Sequence, residues 1–187
     1  MILSDTSILA AMEDGEIVID PFEPKNLGGN SYDVRLSEHL LTYESRHWIG
    51  DQQCLDVSIE NPTSERTIGW EGMVMWPGVL YLASTVEYTE THKHVPYLDG
   101  RSSAGRLGIS IHSTAGRGDV GFCGHWTLEI TVVHPVRVYA GMRIGQLTFH
   151  TVDGEVERVY SKKASATYAS DVRNPKPIPS GMWRNFK

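Results

Sequence analysis

Short runs of apolar residues recur along the chain from residue 17 to residue 160. Some alternate strictly between apolar and polar positions, as at residues 126–133, and this period of two is typical of β-strands with one buried face. Gly, Pro, Asn or Asp stands in most of the gaps, as expected of turns. The predicted strands are residues 16–20, 31–36, 40–43, 72–75, 79–84, 107–112, 126–133, 137–138, 144–150 and 156–160.

The N-terminal segment has a different pattern, which predicts one short helix. Ile8, Leu9 and Met12 form an apolar stripe at helical spacing. Ser4 or Asp5 can cap the start of this helix. We therefore expect a mainly β domain over residues 1–160, a sandwich, jelly roll or distorted barrel, that carries one small helix.

The last stretch, residues 161–187, is polar and contains Pro175, Pro177 and Pro179. This composition predicts an extended C-terminal arm, and such an arm can reach a neighbouring subunit.

Charge and cysteine content narrow the class of protein. Seventeen Lys and Arg against 23 Asp and Glu give a net charge of −6, which argues against a general nucleic-acid binder but leaves room for a small anionic ligand held by a few arginines. Cys54 and Cys123 lie far apart and form no disulfide framework, as expected in the cytoplasm. No apolar run reaches the roughly 20 residues that span a bilayer, and the acidic N-terminus does not resemble a signal peptide.

Residues 100–106 (GRSSAGR) combine small residues, hydroxyls and two arginines. Gly and Ser let backbone N–H groups approach a ligand closely, and arginine matches phosphate oxygens in bidentate geometry. The segment is therefore either a phosphate cradle or a surface turn with two solvated arginines.

Two acidic residues follow the same stretch. Asp119, in the glycine-rich segment 114–121, can accept a hydrogen bond from a sugar hydroxyl or merely stabilise a turn. Glu129 shares one strand face with Thr127, while Trp126 and Leu128 lie on the other. If the face of Glu129 lines a pocket, its carboxylate can act as a general base; if that face is solvated, Glu129 is an ordinary surface residue.

His92 and His94 have metal-like spacing, but the sequence offers no third ligand, and we interpret them as part of a solvated loop. No Walker, GxSxG or HExxH motif occurs. The signature of zinc deaminases, H-x-E with P-C-x-x-C, is also missing. We therefore expect no zinc and no metal-binding residue.

Residues 101–108 (RSSAGRLG) resemble the RSSxxRxG signature of the dCTP deaminases, a family of the trimeric dUTPase-like superfamily. The resemblance covers roughly residues 1–160 in order. It includes residues 30–36 (NSYDVRL), 77–78 (PG), 81–82 (YL), 112–115 (HSTA), 117–119 (RGD), 127–129 (TLE), 139–142 (YAGM) and 144–147 (IGQL).

The resemblance implies a dUTPase-like distorted β-barrel or jelly roll, assembled as a homotrimer with active sites shared between subunits. It implies hydrolysis of dCTP to dUTP and ammonia, with Mg²⁺ carried on the triphosphate and with no nucleic-acid or membrane partner. Residues 161–187 would then close over the active site or a neighbouring subunit.

The resemblance also implies roles for particular residues. Glu129 would activate water, Ser102 and the backbone at Ala115 would place that water, and Arg106 would orient the glutamate. Arg101, Ser103 and Arg117 would contact phosphates, and Asp119 would bond the deoxyribose 3′-hydroxyl. The other implied substrate-binding residues are Ala104, Gly105, His112, Thr114, Thr127, Leu128 and Tyr160.

The arm departs from the family pattern. Thr167 stands where the family has a lysine, and Asp171 stands near the position of a glutamine. Either Lys162 or Lys163 supplies the missing cation, or the protein binds triphosphate loosely or prefers a less phosphorylated or modified nucleotide. Two alternatives to simple deamination stay open: a dUTP pyrophosphatase or bifunctional enzyme that yields dUMP, with Asp119 activating water, and a nucleotide-binding regulator without turnover.

Overall fold

The computed structural model describes residues 1–45, 47–49, 51–163, 168, 173 and 175–187. The described elements include helices α1 (Asp5–Glu13) and α2 (Ser102–Arg106). The strands are β1 (Ile17–Asp20), β2 (Tyr32–Tyr43), β3 (His47–Ile49), β4 (Gln52–Cys54), β5 (Thr63–Thr67), β6 (Met73–Met75), β7 (Tyr81–Thr91), β8 (Val95–Gly100), β9 (Ile109–Ser110), β10 (Cys123–Val132), β11 (Val136–Val138) and β12 (Arg143–His150).

One antiparallel sheet contains most of the strand residues that the structure describes. Its strands follow the order β8-β12-β2-β7-β10-β9, with β1 also paired to β7 and β5 also paired to β2. The pairs β6–β11 and β3–β4 form separate two-stranded sheets. The predicted fold class, a mainly β distorted barrel with a short N-terminal helix, is confirmed.

The core lies between the inward faces of these strands. Leu36, Leu128, Leu147 and Phe149, from three different strands, are completely buried. Burial along β10 alternates at every position from Cys123 to Ile130, as the sequence predicts. This alternation sends Leu128 into the core and turns its neighbours on the strand toward the other face.

Helix α1 begins where expected, because the Ser4 hydroxyl accepts a hydrogen bond from the Ser7 N–H at 3.3 Å. Its buried face differs in part from the predicted stripe. Ile8 and Ala11 are buried, whereas Leu9 is 41% exposed. The small side chain of Ala11 therefore makes a core contact that a hydrophobicity pattern alone does not single out.

Several element boundaries differ from the predictions. The predicted strands 31–36 and 40–43 are one continuous strand, β2, whose pairing with β7 is irregular between Leu36 and Leu40, where Ser37 is buried. Residues 156–160 form no strand; Tyr160 instead begins a 3₁₀ turn, Tyr160–Lys162. The polar strand β5 (TSERT) was missed, since it has no apolar alternation and pairs at the sheet edge with β2.

The described part of the C-terminal arm lies against the body of its own chain. The carbonyl of Pro175 accepts hydrogen bonds from the hydroxyls of Ser37 (3.2 Å) and Ser84. The Ile178 N–H donates to Thr127 Oγ1 at 3.0 Å. The predictions about Thr167 and Asp171 lie outside the described residues.

Within the described ranges, neither helix has the length and apolar character needed to cross a membrane.

Candidate active site

A cavity of about 700 Å³ opens at the face of β10 that carries Thr127 and Glu129. This volume lies in the range typical of small-molecule sites. Seven of the residues predicted from the sequence line it: Thr114, Ala115, Arg117, Asp119, Thr127, Glu129 and Tyr160. The question left open for Glu129 is thereby answered, because its strand face borders a cavity.

Glu129 is fixed from two sides. Its backbone N–H donates to the Ile111 carbonyl at 2.9 Å, and its carboxylate Oε2 accepts from the Ser113 N–H at 2.9 Å. One carboxylate oxygen is thus held by the protein backbone, and among the described residues no hydrogen bond is found to the other, Oε1. A carboxylate that is anchored at one oxygen can accept a proton from water at the second.

The loop at residues 113–119 is attached along its length to β8. The Leu98 N–H donates to the Gly116 carbonyl at 2.7 Å, and the Gly118 N–H donates to the Pro96 carbonyl at 2.9 Å. Gly116 packs so closely that an added Cβ would lie under 3.0 Å from the Leu98 carbonyl oxygen. Only glycine fits this approach, and the approach sets the position of Ser113 relative to Glu129.

Asp119 lies at the rim of the cavity with its side chain half exposed. Lys163 Nζ donates to Asp119 Oδ2 at 2.8 Å and lies 5.9 Å from the centre of the Tyr160 ring. Lys163, one of the two lysines proposed to replace the missing cation of the arm, therefore reaches the site from the first turn of that arm.

Aromatic rings form one wall of the cavity. The Phe122 ring lies 4.7 Å from Trp126 and 6.2 Å from Tyr160, centre to centre. Trp126 is itself fixed, since its Nε1–H donates to Thr89 Oγ1 at 3.0 Å. Such a wall can stack on a planar base.

Helix α2 does not line this cavity. Ser102, Ser103, Gly105 and Arg106 are exposed on the surface, and Ala104 is the buried anchor of the helix. The predicted serine–arginine turn is thus a short helix whose polar side chains face outward. The chain by itself does not bring Ser102 or Arg106 to Glu129.

Arg101 precedes α2 and is held by a buried carboxylate. Its guanidinium lies 3.2 Å from Asp33 Oδ2, which also lies 3.3 Å from the guanidinium of Arg143. Gln146 Nε2 donates to the second oxygen, Asp33 Oδ1, at 3.2 Å. Asp33 therefore contacts two guanidinium groups and fixes the position of Arg101.

The two remaining predicted residues stand behind the cavity wall. The side chain of Leu128 is completely buried, so any contact with a ligand would run through its backbone. His112 is half-buried, and burial lowers the pKa of its imidazole, against the opposing effect of the Glu129 carboxylate. His112 is therefore predominantly neutral at pH 7.

Sequence reasoning missed several lining residues. Leu82 lies on β7 and Leu80 directly precedes that strand, so both look like ordinary core residues, and Ser113 acts through its backbone N–H. Four further lining residues come from the arm: Tyr168, Ile178, Ser180 and Met182. No local sequence pattern indicates where an extended segment folds back onto the domain.

The chain is similar to proteins of known family. The model of the dCTP deaminase-like family matches residues 2–152. A dCTP deaminase, dUMP-forming, from Leptospira biflexa is 48% identical over 187 residues, covering 100% of this chain and 99% of that protein. Proteins of the same name from Cytophaga hutchinsonii and Clostridium acetobutylicum are 47% and 46% identical, covering 87% and 100% of this chain and 90% and 99% of those proteins.

A solved structure shares the fold. The crystal structure of 2′-deoxycytidine 5′-triphosphate deaminase from Agrobacterium tumefaciens matches with a TM-score of 0.61 at 20% identity. The match covers 81% of this chain and 48% of that one, so the chain spans about half the length of that protein. The family model matches most of this chain, and the relative from Leptospira biflexa is 48% identical over its whole length. The chain therefore belongs to the dCTP deaminase-like family.

Proposed function

We propose that this protein converts dCTP to dUMP in two hydrolytic steps at one site. Two waters are consumed, and ammonia and pyrophosphate are released with dUMP. The observation that carries the proposal is that one cavity is lined by two carboxylates, Glu129 and Asp119, each suited to activating one water. The relatives named as dUMP-forming support this alternative over release of dUTP.

In the first step, Glu129 takes a proton from water through its available oxygen while the Ser113 N–H holds the other. The resulting hydroxide adds to C4 of cytosine. Glu129 then passes the proton to ring N3, and a further transfer lets the amine leave as ammonia, with the C4–N bond broken and a carbonyl formed. Proton transfer of this kind typically contributes a hundred- to ten-thousandfold, so the remaining acceleration comes from orientation and electrostatics.

In the second step, a water deprotonated by Asp119 attacks the α-phosphorus of dUTP, and pyrophosphate leaves. The Lys163 ammonium lies 2.8 Å from Asp119 and places a cation beside the phosphates. Arg117, exposed at the same rim, supplies a second cation. Mg²⁺ belongs to the substrate as the counter-ion of its triphosphate.

A second copy of the chain completes the site in this proposal. Ser102 and Arg106 are exposed and lie outside the cavity of their own chain, so they can only act on a neighbour's Glu129. The surface beside them is apolar: Leu107 is 56% and Val133 is 77% exposed. Exposed apolar side chains next to polar functional groups are typical of a subunit contact. We propose a homotrimer with cyclic symmetry, in which each contact repeats.

The deciding experiment incubates the protein with dCTP and Mg²⁺ and follows ammonia, dUTP, dUMP and pyrophosphate over time. We expect dUMP and ammonia in equal amounts. Glu129→Gln should abolish ammonia release but retain nucleotide binding, whereas Asp119→Asn should release ammonia and accumulate dUTP. Asp153→Asn, a change at an exposed loop carboxylate outside the cavity, is the matched control.

Three results would count against the proposal. Wild-type protein that stops at dUTP is a deaminase alone, and tight dCTP binding without any product identifies a regulator. Retained ammonia release by Glu129→Gln removes its assigned role.

The shared site has its own test. Glu129→Gln and Arg106→Ala should each be inactive alone, because each damages one half of every site. Co-expressed in equal amounts, they should recover about one quarter of the sites, since a quarter of random neighbour pairs combine two intact halves. A co-expressed mixture as inactive as the single variants would show that both residues act within one chain.

A further inference from the structure

Glu90, His92 and Cys123 form a compact cluster where β7 ends and β10 begins. Their ligand atoms, a carboxylate oxygen, an imidazole nitrogen and a thiol sulfur, all lie within 4.8 Å of one another. His92 Nε2 and Glu90 Oε2 are 2.9 Å apart. No other group of three His, Cys, Asp or Glu residues with this proximity occurs in the part of the chain that the structure describes.

The strand register brings these residues together from distant positions in the sequence. Glu90 on β7 stands directly opposite Cys123 on β10. His92 follows directly after the end of β7, and its Nε2 lies against Glu90 Oε2. The backbone at this point is well held, because the His92 N–H donates to the Glu16 carbonyl at 2.9 Å and the Thr91 N–H donates to the Phe122 carbonyl at 3.0 Å.

The cluster is partly open to solvent. The side chain of Glu90 is 23% exposed. The imidazole of His92 is 46% exposed, so an ion can reach the cluster from solvent.

We propose that Glu90, His92 and Cys123 bind one Zn²⁺ ion, with water at the fourth position. Thiolate, neutral imidazole and carboxylate are the ligands that zinc prefers, and three protein ligands plus water is a common zinc arrangement. The Cys123 thiol gives its proton to solvent as the sulfur–zinc bond forms. The sequence alone predicts no metal-binding residue, since it offers His92 and His94 no evident third ligand; the pairing of β7 with β10 brings Cys123 to Glu90 and His92.

None of the three side chains lines the nucleotide cavity. Cys123 nevertheless follows Phe122, whose ring forms part of the cavity wall, directly along the chain. The proposed ion therefore bridges β7 and β10 beside the substrate site and takes no part in the proton transfers assigned to Glu129.

The test measures Zn²⁺ binding to the full-length metal-free protein by competition with a chromophoric chelator. We expect about one Zn²⁺ per chain. Cys123→Ser, His92→Gln and Glu90→Gln should each weaken binding at least about tenfold. Cys54→Ser is the matched control, because it removes the chain's other thiol and should leave the affinity unchanged. His92 is exposed, so its variant should keep the stability of the parent and separates ligand loss from misfolding.

Cobalt(II) substitution gives a readout independent of affinity. The wild-type protein should show the intense visible bands of a tetrahedral ion and a sulfur-to-cobalt charge-transfer band, and Cys123→Ser should lose the latter. Three results would overturn the proposal. The first is a stoichiometry far below one Zn²⁺ per chain, and the second is an unchanged zinc affinity in His92→Gln and Cys123→Ser. The third is an octahedral cobalt spectrum without the sulfur band. A loss of binding in Cys54→Ser would place the ion elsewhere and overturn it as well.

Discussion

Replacement of Gly116 by alanine should damage catalysis far more than folding. The added methyl group would lie under 3.0 Å from the backbone carbonyl of Leu98, and restoring an ordinary contact of at least 3.4 Å requires a shift of about 1 Å. The carbonyl belongs to β8, which is paired along its length to β12, so the loop at residues 113–119 must move instead. That movement displaces the Ser113 N–H from the Glu129 carboxylate.

A displacement of about 1 Å in catalytic groups can cost about a hundredfold in rate, and overpacking costs about 1–3 kcal/mol in stability. We therefore expect Gly116→Ala to lower kcat/KM for ammonia release from dCTP about a hundredfold while the protein still folds. Steady-state assays and urea unfolding of the same preparations provide the two numbers.

The matched control is Gly29→Ala, at an exposed glycine where an added Cβ meets nothing within 4 Å. It should keep both kcat/KM and the free energy of unfolding of the parent. If Gly116→Ala retains full kcat/KM, the loop does not position Glu129 through the close approach to Leu98, and the reasoning fails.

Two further predictions concern stability. The carboxylate of Glu87 is completely buried and accepts hydrogen bonds from Arg35 Nε at 2.6 Å and from the backbone N–H of Arg35 at 2.8 Å. Glu87→Gln should therefore lower the free energy of unfolding, measured by urea titration, by about 3–5 kcal/mol. The control Glu65→Gln, on the exposed edge strand, should change this free energy little. Burial lowers the pKa of His112, so near and below about pH 6.5 the unfolded chain binds a proton that the folded chain does not, and the free energy of unfolding decreases as the pH is lowered. His112→Gln should lessen this fall between about pH 7.5 and 5.5, and parallel curves for the two proteins would contradict the assignment.

The parts of the fold that the sequence predicts well are those with a local physical cause. The alternation along residues 126–133 depends only on the period of a strand, and the Ser4 cap depends on contacts within one turn. These features survive in the structure because tertiary packing agrees with them.

The remainder depends on contacts between distant segments. The polar strand β5 exists because β2 offers it an edge, and the arm contributes Ile178 to the cavity through a hydrogen bond to a residue 51 positions earlier. The position of residues 100–106 relative to the cavity also cannot be predicted from local sequence. Their composition matches a phosphate-binding turn, but in the structure most of their polar side chains are exposed and none of them lines the cavity.

The hydrogen bond between the Ile178 amide and Thr127 has a consequence for ligand selection. Because Thr127 Oγ1 accepts from this amide at 3.0 Å, the arm occupies one of the two acceptor positions of the hydroxyl. The hydroxyl can still donate its hydrogen to a ring nitrogen or a carbonyl oxygen of a ligand. An arm that moved away would free the second acceptor position, so the hydrogen-bonding character of the cavity at Thr127 depends on where the arm lies.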